Sequence, residues 1–192
     1  MRNFIMTLTG TAPMLMHNVD AADEFHPLAI ARKKITDKKT KKTEDDRWEL
    51  RRLEFVGGMY YDSDLGPYIP AENIEACLAK SAGLTRNGQD VKRGVRVTNS
   101  VNPLVYSGPR DIDGLWADEN FRLFKSVKVG QSRITRTRPM FKQWAVEIDG
   151  MFDPSIIDFD QLREFTERAG TMIGLGDWRP RYGTFDSEIV EV

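Results

Sequence analysis

The sequence predicts an α+β fold, an antiparallel sheet with helices on one face and long insertions. Three observations carry this: alternating stretches at both ends of the chain, amphipathic helical stretches standing between strand stretches, and polar, basic runs that interrupt the order. At 192 residues the chain fits a single domain, 1–192, with insertions around 19–45 and 107–120, and it is long enough to bury a full core.

Residues 4–9 (FIMTLT) alternate apolar and polar side chains and stop at Gly10, as a half-buried strand does. Residues 12–43 are polar, rich in lysine and carry Pro13 and Pro27, so they read as an excursion with a short helix around 27–35. Residues 44–55 return to helical composition, with Trp48, Leu53 and Phe55 as apolar contacts and Gly57-Gly58 as the stop. Residues 59–61 and 67–69 flank DSDLG as a hairpin-like pair of short strands. Over 70–82 the spacing predicts a helix: Pro70 favours a first turn, Glu72 suits the positive N-terminal end, and Ile74, Cys77 and Leu78 recur at helical spacing.

Residues 95–97 and 103–106 are short strand candidates, with a loop from 107 to 120. Residues 124–137 and 141–152 are expected to form an antiparallel pair, with Pro139 near their junction. Asp158 or Asp160 caps a helix whose Leu162, Phe165, Ala169, Met172 and Ile173 share one buried face, and 184–192 close the chain as an alternating strand. Strand, helix, paired strands, helix and strand is the split βαβ plan of ferredoxin-like and RNA-recognition folds. That plan hosts many activities, so function has to be read from sites.

Composition narrows the field. No run approaches the roughly 18 apolar residues of a membrane helix, so no membrane partner is expected. The first residues lead straight into alternation without a secretory leader, and Cys77 is the sole cysteine, which together point to a reducing, cytoplasmic setting. One cysteine with two histidines, His17 and His26, cannot build a cysteine-rich zinc site, and neither cofactor nor metal is expected. A Walker A loop is absent, and Gly174-Leu175-Gly176 lacks the preceding strand and spacing of a dinucleotide fingerprint.

The net charge is only -1, but charge is segregated along the chain. Between Asn120 and Val146 stand seven basic residues, Arg122, Lys125, Lys128, Arg133, Arg136, Arg138 and Lys142, and no acidic one. Residues 147–167 are dominated by Asp and Glu, and 32–42 form a second basic run broken only by Asp37, which also reads as a solvated lysine face.

Two stretches carry candidate binding chemistry. Residues 172–183 (MIGLGDWRPRYG) gather Gly174, Gly176, Gly183, Trp178, Tyr182, Arg179 and Arg181 between a helix and a strand. Glycine permits close approach of backbone N–H groups to an anion, arginine forks to phosphate, and an aromatic face stacks a base. The same residues also read as a helix-ending turn with its aromatics folded inward. In the basic stretch, period two puts Arg133 with Gln131, Thr135 and Thr137 on one face, and Arg136 and Arg138 with Ser132 and Ile134 on the other. Arginines on both faces are suited to phosphate, or alternatively to salt bridges with Glu147 or Asp149 on a neighbouring strand. Trp144 alternates with Val146 and Ile148 and belongs to the core.

Three segments resemble the RAMP superfamily, whose members include backbone subunits of CRISPR effector complexes. YIPAENIEACL (68–78) is similar to its strand, Ile-Pro and helix signature, TGTAPMLMHN (9–18) to the end of its first strand and the following turn, and 172–183 to its glycine-rich loop. Ala71-Glu72-Asn73 stands where the family often has Gly-Ser-Ser, which weakens a phosphate-cradling role for that helix start. The resemblance implies an RNA-recognition-type core that holds single-stranded RNA or DNA by its backbone, with copies packing side by side as a homo-oligomer or filament. It fits a stand-alone bacterial or bacteriophage member as well as a CRISPR component.

The nucleic-acid-binding set expected is Arg133, Arg136, Arg138, Lys142, Gly174, Gly176, Trp178, Arg179, Arg181 and Tyr182. Because relatives include ribonucleases, His17 is a weak candidate general base. Asp20 and Asp23 are weak candidates for metal-dependent cleavage, lying in the loop region where some backbone subunits place a cleaving aspartate. The expectation is a non-catalytic binder. A RAMP-type ribonuclease and a protein interaction module that mimics or blocks a CRISPR backbone subunit are the alternatives.

Overall fold

A computed structural model describes residues 1–19 and 23–192. The chain divides into two compact units, one of Met1–Leu15, Tyr61–Ser107 and Phe141–Val192, the other of Met16–Tyr60 and Gly108–Met140.

The first unit is built on β1 (Arg2–Gly10), β5 (Val95–Val97), β9 (Ala145–Phe152) and β10 (Phe185–Glu191), in the sheet order β10-β1-β9-β5. Every neighbouring pair is antiparallel, so β1 runs parallel to β5 with β9 between them, and β9 parallel to β10 with β1 between them. Helix α3 (Ala71–Gly83) connects the first parallel couple and α6 (Phe159–Arg168) the second. These are two interlocked split βαβ units, the ferredoxin-like arrangement. The unit also holds β2 (Met14–Leu15), a small sheet of β3 (Tyr61–Asp62), β4 (Gly66–Pro70) and β6 (Val101–Pro103), and helix α4 (Gly88–Gly94).

Alternation along β1 sends Phe4, Met6 and Leu8 to the helical side, where Met6 and Leu8 meet Ile74, Cys77 and Leu78 of α3 and Thr166 of α6. Val146, Ile148 and Phe152 of β9 and Phe185 of β10 are buried as well, each contributing about 1.5–3 kcal/mol by leaving water. Phe4 lies opposite Gly150, and its ring fills the space a Cβ there would occupy. The two helices are tied by Ser81, whose Oγ donates to the carbonyl of Phe165 at 2.7 Å. At the N-terminus of α6 the Asp158 carboxylate accepts the Gln161 N–H, and the Gln161 side chain answers at the Asp158 N–H.

The second unit contains α1 (Pro27–Thr36), α2 (Glu44–Gly57), α5 (Ile112–Ala117) with a short 3-10 turn after it, and a hairpin of β7 (Arg122–Val129) and β8 (Ser132–Phe141), whose last residue belongs to the first unit. Thr43 and Asp46 form a capping box on α2, and the acidic side chains of its first turn suit the positive end of the helix dipole. Gly130 turns the hairpin with φ +60°, a conformation glycine adopts without strain.

Several expectations are corrected. Residues 124–137 and 141–152 do not pair with each other: 122–141 fold into a hairpin of their own about Gly130-Gln131, and β9 pairs with β1 and β5. Glu147 and Asp149 are therefore not cross-strand partners of the arginines. The strand expected over 103–106 is displaced to Val101–Pro103, with Val105 making an isolated bridge to Ala145. The stretch read as loop through Asn120 holds α5, and α4 is also new. Met172 is 60% exposed and not on the buried face, because the chain passes into a π-helical stretch, Ala169–Ile173, that breaks the 3.6 period.

Candidate functional site

Two surfaces carry the expected residues, one in each unit. In the first unit, the π-helical stretch ends at Gly174, and Gly174, Gly176 and Gly183 all take positive φ. A side chain on Gly176 would run into the carbonyl of Leu15, and one on Gly183 into that of Leu175. The loop stitches itself together: the Leu175 N–H donates to Gly183 O at 2.8 Å, Asp177 N–H to Leu15 O at 2.8 Å, and Gly183 N–H to Pro13 O at 2.9 Å. Gly174 N–H donates to Ala169 O at 2.8 Å. The glycines thus serve close backbone packing within the loop.

What this packing projects is cationic and aromatic. Arg179 and Arg181 are exposed on either side of Pro180, which follows a cis peptide bond. The Arg179 Nη1 donates to Gly174 O at 3.5 Å. Trp178, at φ +53°, stands half-buried with its ring centroid 6.2 Å from that of Tyr182 and the planes at 59°. Lys142 is exposed in the same unit. Beneath the loop, Cys77 donates its thiol to Gly174 O at 3.2 Å, and burial pushes the thiol pKa up to about 12 against the opposing pull of Arg179 and Lys80. Cys77 is a packing residue and not a nucleophile.

In the second unit the hairpin sets cation opposite cation. Lys128 faces Arg133 and Lys125 faces Arg136 across the two strands, and the hairpin contains no acidic residue. Lys125, Lys128 and Arg133 are exposed. Like charges directly opposite are destabilising, and the exposed Lys128 and Arg133 at the tip of the hairpin make such a pair.

Farther along β8 the Glu54 carboxylate holds two arginines. Glu54 of α2 accepts Arg136 Nη1 at 3.1 Å and Arg138 Nη1 at 3.3 Å on Oε1, and the Thr137 N–H at 2.9 Å on Oε2. Arg138 is only 7% exposed and also donates to Thr137 O at 3.0 Å, whereas Arg136 is half-buried. These three groups, with Arg32 of α1 and His17, border a cavity of about 240 Å³.

Sequence reasoning missed the bracing of the hairpin root. Trp48 of α2, Trp116 of α5 and Phe124 of β7 meet edge to face at 5.9–6.3 Å. The Arg51 guanidinium lies 5.1 Å from the Trp48 ring and 4.9 Å from Phe124, and that of Arg122 lies 5.0 Å from Trp116. Cation–π contacts of this kind contribute about 0.5–1 kcal/mol each at exposed positions. Trp48 and Arg51, one helical turn apart, were the available sign in the sequence.

The weak catalytic candidates are scattered in role. His17 is exposed at the rim of the cavity, and its carbonyl accepts the Tyr60 hydroxyl at 3.5 Å. His26 caps α1, its Nδ1 accepting the Leu28 N–H. The Asp23 carboxylate accepts the Phe25 N–H at 3.0 Å, and Asp20 lies outside the described residues. Among the described residues no group of three or more His, Cys, Asp or Glu could hold a metal ion.

The open face of the four-stranded sheet has the opposite charge. Glu147 and Asp149 of β9 and Asp186 and Glu188 of β10 are exposed, and Glu147 and Glu188 flank Thr7 of β1 in one row. With Arg96 of β5 as the basic residue on the same face, its four carboxylates still make it unfavourable for a polyanion.

No protein-family model matches the sequence, and no curated protein matches it. In fold the chain is similar to a chain of the Type III-B Cmr-beta bound to cognate target RNA, solved by cryo-EM, with a TM-score of 0.51 and 11% identity. The likeness covers 99% of this chain and 61% of that one, so the chain spans less than two thirds of its neighbour, and the relationship is one of fold. No helix among the described residues is long and apolar enough to cross a membrane.

Proposed function

We propose that the protein binds single-stranded nucleic acid through its sugar-phosphate backbone, without reading sequence and without cleaving it, as a stand-alone relative of the RAMP superfamily. The observation that carries this reading is the hairpin that lacks acidic residues and sets exposed Lys128 opposite exposed Arg133. Such pairing opposes folding of the hairpin and is offset when phosphates sit between the cations. Arg179 and Arg181 add further forks for phosphate in the other unit, and the Trp178 and Tyr182 rings offer a face to an unstacked base. The likeness in fold to a chain from a complex bound to target RNA is in keeping with this. The acidic sheet face keeps the strand away from the surface on which RNA-recognition folds place stacking aromatics.

A fluorescently labelled oligonucleotide, titrated at two salt concentrations, tests the proposal. With about four to six phosphates engaged, the logarithm of the association constant falls with the logarithm of salt by about 0.7 per phosphate. The labelled strand stays intact throughout. No binding at low salt refutes the reading, and shortening of the strand that is lost in a His17→Ala variant replaces it with a ribonuclease.

A further inference from the structure

We propose that the groove between α3 and α4 holds the sugar-phosphate backbone of a bound single strand, with Lys80, Arg86 and Lys92 on its phosphates. The inference deepens the nucleic-acid reading and rests on it. The groove measures about 500 Å³ and lies within the first unit, bordered by Lys80 of α3, Arg86 of the turn that follows, and Gln89 and Lys92 of α4. Ala79 and Lys80 stand four and three residues before Gly83, and Gln89 three before Lys92, so one face of each helix fronts the same space. No carboxylate borders it among the described residues. The three cations are exposed, and among the described residues none of them is engaged by a carboxylate. Asp90, on α4, does not border the groove. Glu72 and Glu75 line an adjoining one that shares Lys92, and the Glu75 carboxylate accepts the Val97 N–H at 2.9 Å.

The shape suits a polymer. Sites that enclose a small ligand are lined mostly by apolar groups and cover most of its surface, whereas here cations stand in water at the rim of a groove floored by Ala79 and Gly83. Lysine and arginine along such a surface contact phosphates without reading bases. Arg86 supplies an independent sign, since it takes φ +68°, a conformation strained for any residue with a Cβ and free for glycine. The turn requires it: the Arg86 N–H donates to Gly83 O at 3.1 Å and the Asn87 N–H to Ala82 O at 2.9 Å, closing the end of α3. Glycine would close the same turn without strain, and the arginine adds a charge at the groove instead. Lys80 and Arg179 both pull on the buried Cys77 thiol, so cations of the groove and of the glycine-rich loop gather around one turn of α3.

The experiment measures a labelled single strand by fluorescence anisotropy at several salt concentrations, with Arg86→Gly, with Lys80→Gln plus Lys92→Gln, and with all three changes together. The triple variant is expected to bind about tenfold or more weakly at low salt and to flatten the salt slope by about 2.1, three phosphates' worth. Arg86→Gly flattens it by about 0.7 while raising the urea midpoint, because the strain is released, so its weaker binding is not a loss of folding. Arg93→Gln, an exposed cation next to Lys92 that does not border the groove, leaves affinity and slope unchanged.

A triple variant that keeps the affinity and slope of the unaltered protein overturns the inference and leaves the nucleic-acid reading standing. An effect of Arg93→Gln equal to that of Lys92→Gln also overturns it, since charge alone then acts and not the groove. Inorganic tripolyphosphate tests the other source of the same chemistry: tight binding that the triple variant loses, with strand affinity unchanged, assigns the groove to a free polyphosphate and overturns the inference. The nucleic-acid reading fails separately, through absence of strand binding by the unaltered protein at low salt.

Discussion

Glu54 is a small residue-scale device with several tasks, since one half-buried carboxylate accepts from two guanidinium groups and the Thr137 N–H. It turns a crowded cationic strand into an ordered one. Cys77 is the other residue whose chemistry is set by its surroundings. Its folded pKa of about 12 stands above the ordinary value of 9.0, so between these limits the unfolded chain loses the proton and the native chain keeps it. The unfolded state then binds fewer protons, and stability falls as pH rises from about 9 towards about 12. Urea melts across that range are expected to show this decline, and a Cys77→Ala variant to lose part of it. Iodoacetamide at pH 8 labels Cys77 only after unfolding; rapid labelling of the native protein contradicts the burial argument.

Among the elements, the hairpin and the four-stranded sheet divide the charge between them. On β8 and β7 the exposed charged groups are cationic, and on the open side of β9 and β10 they are carboxylates. Charge reversal separates their roles. Arg133→Glu together with Lys128→Glu is expected to weaken strand binding by about tenfold or more at low salt and to flatten the salt slope by about 1.4, two phosphates' worth. Glu147→Lys with Glu188→Lys leaves binding unchanged or strengthens it slightly through the long-range field. If the sheet pair weakens binding and the hairpin pair does not, the strand lies over the sheet.

Across the whole molecule, what could be read in the sequence follows the length and regularity of each element. β1, α3, α6 and β10 show their periods over enough residues to be placed, and the terminal β1 and β10 then pair. α4 and α5, of seven and six residues, are too short for a helical period to emerge. The hairpin is hard to read in the sequence because apolar and polar residues give no clear break at Gly130-Gln131, so the turn rests on one glycine. The partner of Arg136 and Arg138 was out of reach for another reason: Glu54 lies 82 and 84 residues away, and no local pattern links them. The candidate residues themselves were legible through their chemistry, while the cavity and the aromatic bracing of the hairpin depend on long-range packing.

The cross-strand cations give salt two opposing effects on one element. Ions screen repulsion within the hairpin as they screen its attraction for a polyanion, partly at 0.1 M, where the Debye length is about 10 Å, and fully only as it shortens to about 3 Å at 1 M. Raising salt therefore tightens the free hairpin while it loosens the complex. Amide hydrogen exchange in β7 and β8 is expected to slow with added salt in the free protein, and to slow further when a strand binds at low salt; exchange that quickens with salt in the free protein contradicts it. The hairpin is then ordered at its root by Glu54, while its Lys128 and Arg133 tip reaches its most ordered state with a counter-charge in place.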